Sequence, residues 1–143
     1  MKITNKKAHF DYELSETLEA GINLFGSEVK AVRLGRADLT GSYVKLVGDE
    51  IYLINATISP YQSGQIEDYD EKRTRKLLLH KKEIVALRSR MQSANLALIP
   101  VSLYFKRGFI KIEIALGKGK KKFEKRESIK SRDIQRDIEH EMS

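Results

Sequence analysis

The chain has 143 residues, 33% of them charged, with 27 Lys and Arg against 20 Asp and Glu, a net charge of +7 and no cysteine. A hydrophobic content of 41% is enough for a core, whereas disulfides and thiolate chemistry are excluded and no stretch reaches the roughly 18 apolar residues of a membrane span. Such a basic balance favours polyanionic partners, RNA, DNA or an anionic membrane; the plain alternative is solubility, and the clustering of the charge argues against it.

The opening MKITNKKAHF has no apolar run after its lysines and does not read as a secretory signal, so an intracellular, cytoplasmic protein is expected. Residues 2–7 form a basic arm, with Lys2, Lys6 and Lys7 around Asn5. HFDYELSETLEAGINLF (9–25) mixes aromatic and β-branched residues and reads as extended, bent around Gly21. GSEVKAVRLG (26–35) reads as a short helix with Ser27 as N-cap, Glu28 in the first turn and Gly35 as the stop. SYVKLV and EIYLINATI flank Gly48-Asp49, a two-residue hairpin turn. Residues 61–75 are polar and read as a long loop, running from the acids Glu67, Asp68, Asp70 and Glu71 to the bases Lys72, Arg73 and Arg75.

LLLHKKEIVALRSRMQSAN (77–95) reads as a helix with His80 at its N-cap and Glu83 in the reciprocal position. Ile84, Leu87 and Met91 make its apolar stripe. The alternation is clearest in PVSLYFK and its successor. Val101, Leu103 and Phe105 alternate with Ser102, Tyr104 and Lys106; after Arg107-Gly108, Ile110, Ile112, Ile114 and Leu116 alternate with Lys111 and Glu113. That is a hairpin with one buried face. About six strands with two to three short helices make a mainly β fold, for which an OB-like closed barrel is the natural candidate at this size.

The three histidines, His9, His80 and His140, have no metal-ligand spacing. The acids at 67–71 lack the alternating oxygen ligands of a calcium loop and read as a solvated acidic face. No nucleophile elbow occurs, and Gly117-Lys118-Gly119 fits neither the dinucleotide nor the phosphate-loop pattern, so it reads as a hinge. No catalytic residue, metal, cofactor or small-molecule substrate is expected. Nucleic-acid binding remains. Residues 72–90 carry eight Lys and Arg against one acid, and residues 118–132 carry eight against two. Cations in such number neutralise phosphates and release counterions. Phe10, Tyr12, Tyr61, Phe123, Asn5 and Asn55 lie among them and could stack on or bond to bases, or pack inside. The last stretch divides into the basic half 118–132 and the acidic 133–143, where Ile134, Ile138 and Met142 make a thin stripe. Too narrow for independent stability, this tail is expected to be disordered when free and to order on a partner.

Several phrases together carry a family resemblance: NKKAHFDY (5–12), LEAGINLFGSEVKAVRLGRADL (18–39), SYV (42–44), ISPY (58–61), RKLLLHKKEI (75–84), YFKRGFIKIEIALGKGKK (104–121) and FEKRE (123–127). They resemble the small protein B (SmpB) family, the SsrA-binding proteins of bacterial trans-translation, nearly end to end. The resemblance implies an OB-like barrel over 1–116 that binds the tRNA-like domain of transfer-messenger RNA. It also implies a tail over 117–143 that enters the decoding centre and mRNA channel of the stalled ribosome's small subunit, without enzymatic activity or metal. By match to the family's motifs, RNA contacts are expected from Asn5, Glu19, Leu78 and Lys111, and with them Lys6, Lys7, Phe10 and Lys118. The decoding-centre motif is expected over Gly119, Lys120, Lys121, Phe123, Glu124, Lys125 and Arg126, with Lys130 and Arg132 beyond it. Two departures stand out: Glu124 replaces the family's usual aspartate, and Phe10 its common histidine, which keeps a stacking role but loses hydrogen bonding. On the residues alone, Leu78 reads more readily as core than as contact. Two other classes compete: a general structured-RNA binder, and a metal-dependent RNA-processing enzyme using Asp68 and Asp70.

Overall fold

Turn chemistry sets the first register. Gly48 takes φ of +62° between β4 (Tyr43–Val47) and β5 (Glu50–Ile54), which pair antiparallel from Val47 opposite Glu50 to Tyr43 opposite Ile54. Arg107 and Gly108, at φ of +52° and +86°, make a second two-residue turn, with both residues left-handed, between β8 (Ala97–Lys106) and β9 (Phe109–Gly119). A computed structural model of the chain describes residues 2–59 and 69–120, and within them the protein is mainly β, with nine strands and three helices. β2 (Tyr12–Ile22) lies along β9 and, at Gly21 and Ile22, also along β7 (Arg75–Leu78). Seven strands form one sheet in the order β1-β8-β4-β5-β7-β2-β9, where β1 is Lys2–Thr4, and β8 pairs with β9 as well. A second, two-stranded sheet joins β3 (Ala37–Asp38) to β6 (Thr57–Ile58).

The core is what the alternation demands. Ile110, Ile112, Ile114 and Leu116 are all buried, as are Ile51, Leu53, Leu77, Leu98 and Leu103. Each such side chain contributes about 1.5–3 kcal/mol by leaving water. The alternation fails in β8, where Leu98 to Leu103 are buried without a break, Ser102 included, while Phe105 is exposed. Both α1 and α2 pack against β8 here, and β1 pairs along its edge at Ser102 to Tyr104.

The helices hold the main surprises. Residues 6–11 are neither a loose arm nor extended: α1 (Lys6–Asp11) forms a short helix. Asn5 caps it, accepting from the Ala8 N–H at 3.2 Å and donating to the Pro100 carbonyl at 2.9 Å. α2 (Gly26–Arg33) is capped by Phe25 rather than Ser27, because Glu28 reaches back to the Phe25 N–H at 2.8 Å and Ser27 Oγ is buried without a hydrogen-bond partner. Gly35, at φ of +79°, ends it as its type suggests. α3 (Lys81–Ala94) starts at His80, whose N–H donates to Glu83, and buries Ile84 and Leu87. The expected helix over 77–95 is therefore too long at its start: Leu77 and Leu78 belong to β7. Nor is Gly117-Lys118-Gly119 a hinge. All three residues are paired in β9, opposite Leu14, Glu13 and Tyr12 of β2. Gly117 is glycine because of close approach: a Cβ there would lie 2.9 Å from Ile99 Cγ1.

One ionic cluster is buried in this frame. Glu28 and Arg75 are both fully buried and bond through Arg75 Nη2 at 2.7 Å and Nε at 3.0 Å. Arg73 and the Tyr69 hydroxyl bond the same carboxylate, and Arg75 also reaches the carbonyls of Ala56 and Glu71. Burial pushes the Glu28 carboxyl up, but the bonds from Arg73, the Phe25 N–H, Arg75 and Tyr69 outweigh it and leave its pKa below the ordinary value. The cluster ties α2 to β7.

Candidate nucleic-acid interface

β7 is four residues long and strictly two-sided. Arg75 and Leu77 are buried; Lys76 and Leu78 point out. Leu78 is 53% exposed, which corrects its reading as core. It stands where β7 meets β2 at Gly21, and a Cβ on Gly21 would come within 3.1 Å of Leu78 Cβ. Glycine there lets the leucine lie across the neighbouring strand.

Gly21 is also paired with Lys111 of β9. The three strands thereby deliver Glu19, Leu78 and Lys111, expected separately, to one open concavity of about 370 Å³, completed by Gly21, Leu79, His80 and Glu83. Glu19 is held in place on this face. It accepts from the Tyr104 hydroxyl and, at 3.3 Å, from Lys106 Nζ. The Tyr104 bond is the main cause that holds the Glu19 carboxyl below its ordinary pKa. Burial first, then the Glu19 carboxylate, pushes the Tyr104 hydroxyl up, so it stays a donor. Tyr104 and Lys106 were not expected as site residues. The 104–113 alternation carried the signal, since it puts Tyr104, Lys106 and Lys111 on the outward side. The face thus offers a fixed carboxylate, the cations Lys106 and Lys111 and an apolar step, a set that can bond sugar or base edges, neutralise phosphate and pack against a base.

A second group gathers around α1. Asn5 is 4% exposed, with both side-chain polar atoms engaged inside the protein. Lys6 and Lys7 are exposed on the helix and Phe10 is half-buried. Asn5 and Lys7, with Ala8, Asp11, Tyr12, Gly41, Ser42, Tyr43 and Ile99, line another concavity of about 300 Å³. The end of β9 arrives here. Lys118 and Gly119 are exposed opposite Glu13 and Tyr12, and Lys120 donates from its N–H to the Asp11 carbonyl at 2.9 Å and from Nζ to the His9 carbonyl at 3.1 Å. The N-terminal helix and the end of β9 are therefore tied together, beside a concavity that none of Glu19, Leu78 and Lys111 lines.

Lys121, Phe123, Glu124, Lys125, Arg126, Lys130 and Arg132 lie outside the described residues, as do Tyr61, Glu67 and Asp68. Asp70 is described, and its carboxylate accepts from the Lys72 N–H at 2.9 Å as a turn cap. Among the described residues no three His, Asp or Glu side chains gather as a metal site, and no helix is long and apolar enough to cross a membrane.

Comparison with known proteins bears on this arrangement. Residues 2–143 match the family described as SmpB protein. The chain is 49% identical over 138 residues to the SsrA-binding protein of Chlorobaculum tepidum, covering 96% of this chain and 88% of that protein. It is 51% identical over 139 residues to the SsrA-binding protein of Trichormus variabilis, covering 96% and 90%. A chain in a solved structure described as "tmRNA-SmpB: a journey to the center of the bacterial ribosome" matches it with a TM-score of 0.70 at 43% identity, over 85% of each chain.

Proposed function

The chain belongs to the SmpB family, and on that premise we propose that it is an RNA-binding protein that holds the tRNA-like domain of transfer-messenger RNA and brings it to stalled ribosomes for trans-translation. The observation that carries this reading is the convergence of Glu19, Leu78 and Lys111, from three separate strands, on one open face. The role is binding and delivery, in the cytoplasm, with no reaction performed on the RNA. The names of the relatives support the RNA partner, and the solved structure's description supports the ribosome as the place of action.

The division of labour follows the geometry. An OB-like closed barrel is the body; the ring of pairings β4–β5, β5–β7, β7–β2, β2–β9, β9–β8 and β8–β4 supports closure. Its face with Glu19, Leu78 and Lys111 receives the RNA. Lys6, Lys7 and Lys118 add phosphate neutralisation, and Asn5 acts by fixing α1. The tail residues Lys121, Phe123, Glu124, Lys125, Arg126, Lys130 and Arg132 serve the decoding centre and mRNA channel of the small subunit. Because β9 runs through Gly119 and Lys120 is tied to α1, the working boundary between body and tail lies after Lys120 rather than at 117.

Two measurements test the reading. Affinity for the tRNA-like domain should fall linearly with salt on logarithmic axes. A flat response, or equal competition by unstructured RNA of the same mass, contradicts specific binding of that fold. A chain ending at Lys120 should keep its RNA affinity and lose ribosome rescue in a reconstituted translation assay; loss of RNA affinity by orders of magnitude contradicts the division.

A further inference from the structure

Phe109 is the most exposed large apolar side chain among the described residues, 67% accessible at the tip of the β8–β9 hairpin. The Arg107-Gly108 turn needs left-handed backbone before it but nothing aromatic at this position. Phe109 is two residues from Lys111 and directly opposite Lys106, so it stands on the same outward face as the candidate interface. The Lys111 ammonium lies 5.7 Å from its ring centroid.

Phe105, at the same tip, is disposed differently. It pairs with the buried Ile110 and so faces the other side of the hairpin. The Arg33 guanidinium covers its ring at 4.6 Å, and with Val32 and Ile110 these two residues line a small concavity of about 220 Å³. Of two phenylalanines on one turn, one lies under Arg33 on the body and the other stands exposed, with the Lys111 ammonium over its ring and Lys106, bonded to Glu19, opposite it. The nearby carboxylate Glu19 already serves Tyr104 and Lys106, so the tip presents net positive charge next to an open ring.

We infer that Phe109 is a stacking platform for one unpaired nucleobase of the bound RNA, with Lys111 and Lys106 holding that nucleotide's phosphates. A base inside a duplex has no free face to offer, so the occupant is a nucleotide in a loop or one turned out of its helix. The inference rests on the RNA-binding reading above and deepens it by naming the chemical form of RNA that the hairpin tip takes.

The test uses the full chain and the tRNA-like domain of transfer-messenger RNA carrying the fluorescent base 2-aminopurine at each unpaired position in turn. Wild-type protein should quench one of these reporters on binding. Phe109→Leu, apolar but without a flat ring, should abolish that quenching and weaken binding about tenfold. Phe109→Trp should retain both, and Phe105→Leu, on the opposite side of the hairpin, should behave as wild type. Equal quenching and affinity in Phe109→Leu and wild type, or no quenching at any position by a wild-type protein that does bind, overturns the inference and leaves the RNA-binding reading standing. Failure of the wild-type protein to bind this RNA overturns that reading, and the inference with it.

Discussion

Glu28 and Glu19 are each held by a tyrosine hydroxyl and by basic side chains, yet one is sealed inside the fold and the other stands on its open face. Around Glu28 the donors come from Arg73, Arg75, Tyr69 and the Phe25 N–H, and Arg75 spends its remaining donors on carbonyls. Nothing is left over for a partner. Around Glu19, Lys106 and Lys111 remain in reach of solvent, and an apolar Leu78 lies beside them. The same chemical vocabulary therefore serves two ends, and burial decides which. A charge cluster closed on itself holds the fold, whereas one left open toward water is available to RNA. β7 joins the two, with Arg75 and Leu77 turned to the lock and Lys76 and Leu78 turned to the face.

Breaking the lock should have the largest effect. Glu28→Ala leaves Arg75 buried and unpaired, which costs about 3–5 kcal/mol. Denaturant unfolding reads this directly, and a loss under 1 kcal/mol would mean that the cluster is not what holds α2 against β7. Next come the two neighbouring leucines. Leu77→Ala should cost about 2–5 kcal/mol of stability, whereas Leu78→Ala should stay within about 0.5 kcal/mol and lower RNA affinity instead. Thermal melts with RNA titrations of both variants sharpen the contrast; equal destabilisation would erase it.

A smaller effect is expected from acid. Glu28 has a folded pKa below its ordinary 4.5, so the stability it contributes is complete above that value and drains away as pH falls through the folded pKa. Glu28→Gln should therefore flatten the acid limb of the stability curve below about pH 4.5, and an unchanged acid limb would contradict the linkage. The smallest effect belongs to the open face. Lys111→Ala should leave the melting temperature unchanged and reduce the salt slope of RNA binding by about one.

The two regions were unequally legible in the sequence. Hairpins with Gly48 and Gly108 in their turns declared themselves, because few other residues accept those φ values. α3 declared its cap and its stripe, but not its first residue, since RKLLL supports a helix as well as a strand until Arg75 finds Glu28. That partner is 47 positions away, and no local pattern reports a bond of that reach. α1 escaped notice because six residues carry too little periodicity to separate a helix from an arm. Gly117 looked like a hinge because a glycine needed for close approach and one needed for freedom read alike in a sequence. Leu78 was the instructive miss: three leucines in a row hide which one faces out, and only strand pairing with β2 and β5 sets the phase. The identities of Glu19, Leu78 and Lys111 came from family resemblance, while their meeting on one face emerged only with the register.

The account turns on that face being where RNA lies. The most direct measurement is the affinity of Leu78→Ala for the tRNA-like domain of transfer-messenger RNA at fixed salt, beside its melting temperature. The account predicts a loss of about tenfold in affinity with an unchanged melting temperature, since the side chain is exposed and supports no core contact that folding needs. Undiminished affinity in a fully folded variant would contradict it.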